Sequence, residues 1–166
     1  MTRWTRATLR GGCAGVLFLL CAPLATANFT GLVVSVLDGD TIEVLHHQRP
    51  ERTRLSGIDC PEKGQAYGHN AKQATSALVF GKEVTLQTFG QDKYGGTLAD
   101  VLLPDGTHVN HTLVKDGWWY RKYAPGNTVL ERLERDARQG RIGLWADPFV
   151  PSVASPCSPL SLITLA

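Results

Sequence analysis

The feature that most limits the fold is the order in which two kinds of hydrophobic periodicity occur. GLVVSVL (31–37), TIEVL (41–45) and RTRLSGI (52–58) alternate with the period of strands, and the polar HHQRPE between the last two reads as a hairpin loop. GHNAKQATSALVF (68–80) then sets Ala71, Ala74, Ala77 and Leu78 at helical spacing. EVTLQTF (83–89) and TLADVLL (97–103) return to strand period and close on a Pro104-Asp105-Gly106 turn. VNHTLVKDGW (109–118) suggests a short helix. A third helix is expected from Thr128, where Glu131 stands three residues after a hydroxyl cap and Leu130, Leu133 and Ala137 form an apolar stripe. Three strands, a helix, two strands and two helices define an α+β chain, mainly β. They suit a five-stranded OB-type β-barrel with three helices better than a sandwich or a parallel sheet.

The ends of the chain fall outside that pattern. Arg3, Arg6 and Arg10 precede the apolar GVLFLLCAPL (15–24), and Ala25-Thr26-Ala27 has the small-x-small form of a signal-peptidase site. The apolar run is about half the length of a bilayer span. Residues 1–27 therefore read as an export signal cleaved near Ala27, which would leave the protein periplasmic or secreted, with no membrane attachment. An uncleaved anchor is the alternative, and bulky Leu20 argues against a lipoprotein at Cys21. Residues 28–147 make one domain. The Pro/Ser-rich 148–166 is expected to be disordered or loosely docked.

Cleavage removes three of the 17 basic residues and none of the 15 acids, leaving 14 against 15. A near-neutral chain is not drawn to a polyanion by its overall charge, so nucleic-acid binding would need a local patch or a bound cation. Only Cys60 and Cys157 remain in the mature chain. They are far apart in sequence, and two free or loosely paired thiols are expected rather than a disulfide.

Two short acidic stretches, D-G-D-T (38–41) and I-D-C-P-E (58–62), each follow an apolar strand. Asp38, Asp40, Asp59 and Glu62 could then meet at one rim. Carboxylates so gathered repel unless a proton or a cation is shared between them, and oxygen donors without a histidine or several cysteines favour calcium or magnesium. Each stretch alone is also an ordinary turn. Arg54 lies in the strand between them, either beside such a site or in a surface ion pair with Glu43 or Glu51. An arginine next to a carboxylate-bound cation suits a phosphodiester, because both share the charge developing on the phosphoryl oxygens while a carboxylate takes a proton from water.

V-L-D-G-D-T, R-L-S-G-I-D-C-P-E, D-K-Y-G, V-N-H-T-L-V-K-D-G and the final G-L-W occur in the order and approximate spacing of the staphylococcal (thermonuclease-like) nuclease family, which the chain resembles over about residues 30–146. The resemblance implies the five-stranded barrel with three helices and calcium-dependent hydrolysis of DNA or RNA phosphodiesters by a monomer with no stable protein partner. It implies Asp40, Asp59 and the backbone carbonyl of Cys60 as calcium ligands, Glu62 as general base and Arg54 as a phosphate-binding arginine. It further implies Lys93 and Tyr94 at a terminal phosphate and Tyr123 beside the base and sugar.

Two positions depart from the family. The arginine expected directly after D-K-Y-G is Gly96, and W-W-Y-R-K-Y is about two residues short. Reduced activity is therefore expected, with Arg121 or Lys122 as a stand-in cation. The alternative is a barrel that binds nucleic acid without turnover. His46-His47 reads as solvated. His108, Asn110 and His111 read as the opening of a packed helix, and at least one of Trp118 and Trp119 as core rather than a base-stacking surface.

Overall fold

The computed structural model describes residues 28–118, 120–121 and 126–147, with Tyr120 and Arg121 described in the backbone alone. The expected signal, the tail with Cys157, and Trp119, Lys122 and Tyr123 lie outside the described residues, as do the side chains of Tyr120 and Arg121.

Strands β1 (Asn28–Asp38), β2 (Thr41–His46), β3 (Arg49–Leu55), β5 (Glu83–Gln91) and β6 (Thr97–Leu102) close into a barrel in the order β1-β2-β3-β6-β5. All neighbours are antiparallel except β3 and β6, which pair in parallel from Thr53–Thr97 to Leu55–Ala99. Alternation within the strands sends Val33, Ile42, Val44, Leu55, Val84, Leu86, Ala99 and Val101 into the interior, each essentially inaccessible to solvent. Burial of side chains this size contributes about 1.5–3 kcal/mol apiece, so the filled barrel is the main source of stability.

Helices cover the barrel with their apolar faces. α1 (Gly68–Val79) buries Ala71, Thr75 and Val79, α2 (Val109–Lys115) buries Val109, Leu113 and Val114, and α3 (Thr128–Gln139) buries Leu130 and Ala137. The predicted barrel and its three helices are all present, and a short 3-10 turn stands at Gly143–Ala146.

Four local readings need correction. The strand expected over 52–58 breaks after Leu55, because Gly57 takes φ +69 and turns the chain out of the barrel. Past the turn the chain forms a two-residue strand, β4 (Ile58–Asp59), paired with β7 (Tyr120–Arg121) outside the barrel. The polar HHQRPE contracts to a tight turn at His47 and Gln48, both with positive φ, whose twist matches the flanking strands. α2 stops at Lys115, ahead of Gly117 at φ +74. The cap of α3 is Asn127, not Thr128, its side chain accepting the Leu130 N–H at 3.1 Å.

Candidate active site

The turn at Ser56-Gly57 has a chemical consequence. It carries Asp59 back beside Arg54, while the Leu55 N–H, donating to the Asp40 carbonyl at 2.9 Å, ties the end of β3 to the start of β2. Arg54 Nη2 therefore donates to Asp40 Oδ2 and to Asp59 Oδ1, each at 2.7 Å. Neither Glu43 nor Glu51 is its partner; Glu51 instead accepts from Thr97 Oγ1 and pairs with His46. The two carboxylate side chains are 6% and 9% exposed and the guanidinium 30%, so the acids are enclosed while the arginine reaches solvent.

Burial dominates the electrostatics of the acid pair. It pushes the Asp40 carboxyl up to about 6, against the pull of Arg54 and the Thr41 hydroxyl and with the further push of the Asp59 charge. Burial also works against the Arg54 charge, but Asp40 and Asp59 more than offset it and hold the guanidinium above its usual range. Cys60 is a free, buried thiol kept protonated by its apolar surroundings and the nearby carboxylates, so its sulfur is not an available ligand.

Among the described residues no three His, Cys, Asp or Glu side chains are grouped to hold a metal. The chemistry of the pair nevertheless fits a hard cation. Two carboxylate oxygens that each lie 2.7 Å from one nitrogen are no more than twice that distance apart. Calcium takes oxygen ligands at about 2.3–2.6 Å and can bridge a gap of nearly that size. A backbone carbonyl such as that of Cys60 can add an oxygen without adding charge.

Glu62 is exposed on the loop that leaves Asp59, and that loop is tightly knotted. The Glu62 N–H donates to Gln65 Oε1 at 2.8 Å, and the Gln65 N–H donates back to the Glu62 carbonyl at 2.9 Å. A Cβ on Gly68 would lie 2.2 Å from the same carbonyl, so only glycine lets α1 begin this close. Tyr67 Oη donates to Asp147 Oδ2 at 2.5 Å and fastens the loop to the end of the domain.

Lys93 and Tyr94 occupy a turn that folds on itself. Asp92 Oδ1 accepts the N–H groups of Tyr94 at 2.8 Å and Gly96 at 2.9 Å; the backbone donor at Gly96 is the first cause of its lowered pKa, and Tyr94 adds to it. Lys93 Nζ lies 4.8 Å from the Tyr94 ring centroid, and Tyr94 is 75% exposed. Gly95, at φ +81, makes the bend. At Gly96 an added Cβ would lie 3.3 Å from Asp92 Oδ2, a tight contact with the Asp92 side chain alone, so a larger residue there requires that carboxylate to shift by a few tenths of an ångström.

The structure thus brings Asp40, Asp59 and Arg54 together, with Glu62 on the adjoining loop and Asp38 two residues upstream. Arg121 shares this region through its backbone, paired with Ile58. Asn110, read from the sequence only as part of a packed helix opening, contributes to the site's geometry. It is buried at the start of α2, where Oδ1 accepts from the Val101 N–H and Nδ2 donates to the Ser56 carbonyl and to Asp100 Oδ1, so it fixes the turn that aims Asp59. A polar residue opening an apolar helix is the available signal. His47 is exposed, as expected, whereas His46 is half-buried and stacks on Phe29 at 3.9 Å, and His108 and His111 stack on each other at 3.6 Å. Trp118 packs against the core.

Comparison with known proteins places the chain in a family. Residues 52–147 match the family model described as staphylococcal nuclease homologue. A protein of Escherichia coli O157:H7 named as an uncharacterized endonuclease is 45% identical over 140 residues, covering 82% of this chain and 91% of its own length. A micrococcal nuclease of Shigella flexneri is 41% identical, covering 86% and 87% respectively. Protein ParB of Escherichia coli is 39% identical over 89% of both chains. With these matches spanning both the barrel and the acid–arginine cluster, the chain belongs to the staphylococcal nuclease homologue family.

Proposed function

We propose that the protein is a calcium-dependent nuclease that hydrolyses phosphodiester bonds of DNA or RNA, exported after cleavage near Ala27 and monomeric. The observation that carries this reading is the pair of enclosed carboxylates sharing a solvent-reaching arginine. Asp40, Asp59 and the Cys60 carbonyl would hold the calcium ion, which when bound would neutralise charge on the phosphoryl oxygens. Arg54 binds the scissile phosphate and stabilises the charge that develops on it. Glu62, exposed and set in a rigid loop, takes the proton from the attacking water. Lys93 and Tyr94 meet a neighbouring phosphate, Tyr123 borders the base and sugar, and Arg121 is assigned the cationic role that Gly96 cannot fill. Supporting that last role, the β7 backbone runs directly alongside β4.

Turnover is reduced relative to a two-arginine site, by about a hundred- to a thousandfold if Gly96 removes a full donor to the transition state. The lack of a cationic side chain at Gly96 favours a second reading, a barrel that binds nucleic acid without cleaving it. Degradation of single-stranded DNA by the mature protein, with calcium or with a chelator, separates the two. Calcium-dependent cleavage abolished in Glu62→Gln supports the nuclease. Binding without cleavage, with cleavage appearing in Gly96→Arg, supports the second reading. N-terminal sequencing of the exported protein tests cleavage near Ala27.

A further inference from the structure

The pairing of strand ends orders the groups along the mouth of the barrel. The 92–96 loop leads into Thr97, which pairs with Thr53; Arg54 pairs with Thr41, and Thr41 with Asp38. A polyanion crossing this mouth from the Lys93–Tyr94 loop passes Arg54 and the acid pair, then reaches Asp38. There a cavity of about 160 Å³ is lined by Asp38, Lys63, Gly64, Gly68, His69 and Lys72. Lys63 directly follows Glu62, and Lys72 and His69 come from the first turns of α1.

Lys63, His69 and Lys72 line this cavity with a single acid, Asp38, whose Oδ1 already accepts the Gly39 N–H at 2.8 Å, and all three basic side chains are exposed to solvent. The first turn of α1 contains no acid that would neutralise the lysines. In a chain with 14 basic and 15 acidic residues after cleavage, this is a local concentration of cations rather than part of a basic surface.

We propose that Lys63, His69 and Lys72 form a second phosphate subsite, which takes a backbone phosphate of the nucleic acid on the side of Arg54 opposite Lys93 and Tyr94. The subsite rests on the nuclease reading above and extends it. Its contribution is to binding rather than chemistry, since the cavity lies beyond the acid pair. Positive charge absent at Gly96 is thereby returned to the substrate path at a different point.

The test compares the mature protein, Lys63→Gln/Lys72→Gln, and a control, Lys82→Gln/Lys115→Gln, which alters exposed lysines on other elements. Substrates are a single-stranded oligonucleotide of about eight residues and a dinucleotide too short to span both subsites, with circular dichroism confirming that each variant folds. For the longer substrate, KM is expected to rise about tenfold in Lys63→Gln/Lys72→Gln with kcat within about twofold. The salt dependence of binding should become shallower by about 0.7 in the log–log slope, the value for one phosphate contact on a single strand. Dinucleotide turnover should be unchanged.

A longer-substrate KM and salt slope matching the control would overturn the subsite while leaving the nuclease intact. Equal losses on both substrates would also overturn it, because the lysines would then act at the scissile phosphate. A parent protein that cleaves neither substrate in calcium removes the nuclease reading, and the subsite with it.

Discussion

β3 and β6 lie side by side, yet they bring opposite kinds of structure to the mouth of the barrel. β3 delivers Arg54 into the grip of two enclosed carboxylates. The loop that opens β6 spends its Asp92 carboxylate on its own backbone and offers a lysine, an exposed tyrosine and two glycines. One side is built into the barrel and anchored by long-range bonds; the other is a self-closed turn that could change without disturbing the core. A substitution at position 96 should therefore disturb the fold less than one at position 54.

Removing the built side should have the largest effect. Arg54→Gln is expected to lower kcat/KM about 10³- to 10⁵-fold, as loss of an arginine from a phosphoryl transition state does. It should also destabilise the metal-free protein, measured by denaturant titration, because Asp40 and Asp59 are left enclosed without their cation. Glu62→Gln should cost about 10²- to 10⁴-fold in kcat with an unchanged melting midpoint, since the side chain is exposed. Equal thermal destabilisation in both variants would erase the distinction between a buried grip and an exposed base.

Gly96→Arg sharpens the comparison from the other side, with an expected gain of about tenfold or more in kcat and normal folding, because the added side chain has only the Asp92 carboxylate to displace. No gain would mean that the turn cannot present a cation to the phosphate.

The next effect is pH dependence. Below about pH 6 calcium must displace a proton from Asp40, so its affinity should fall up to about tenfold between pH 6 and 5, with proton release seen by calorimetry in two buffers. In metal-free protein the folded pKa of about 6 lies above the ordinary 3.8, so the folded state binds this proton more tightly. This group's contribution to stability is therefore full below 3.8 and declines as pH rises to 6, and calcium should reverse the decline. The smallest effect is expected from Asp92→Ala, with a stability loss under about 1 kcal/mol because the released N–H groups reach water.

The two sides are unequally legible in the sequence. Asp40 follows an apolar strand and Arg54 alternates within one, so strand period allows their meeting but equally allows an ion pair of Arg54 with Glu43 or Glu51. The break at Gly57 cannot be read from that period, because Ser-Gly inside RTRLSGI leaves the apolar rhythm intact, and the turn is enforced by Asn110 and by Ala99, far along the chain. The β4–β7 pairing involves two residues on each strand, too few to show a period. Asn127 is hidden as the cap of α3 because Thr128 fits the same motif one position later. The enclosed geometry of the acid pair depends on barrel closure, which no local pattern encodes.

The parallel pairing of β3 with β6 also sets a temporal order. Thr53 meets Thr97 across more than forty residues of chain, including the whole of α1 and β5. Such contacts form late because the intervening loop must first be closed at an entropic cost. A nascent chain that has not yet emerged past β6 lacks the neighbour that holds the end of β3, and so lacks a settled Arg54 between its two acids. Hydrolytic capacity would then depend on the completed barrel and not on any one of the motifs within it.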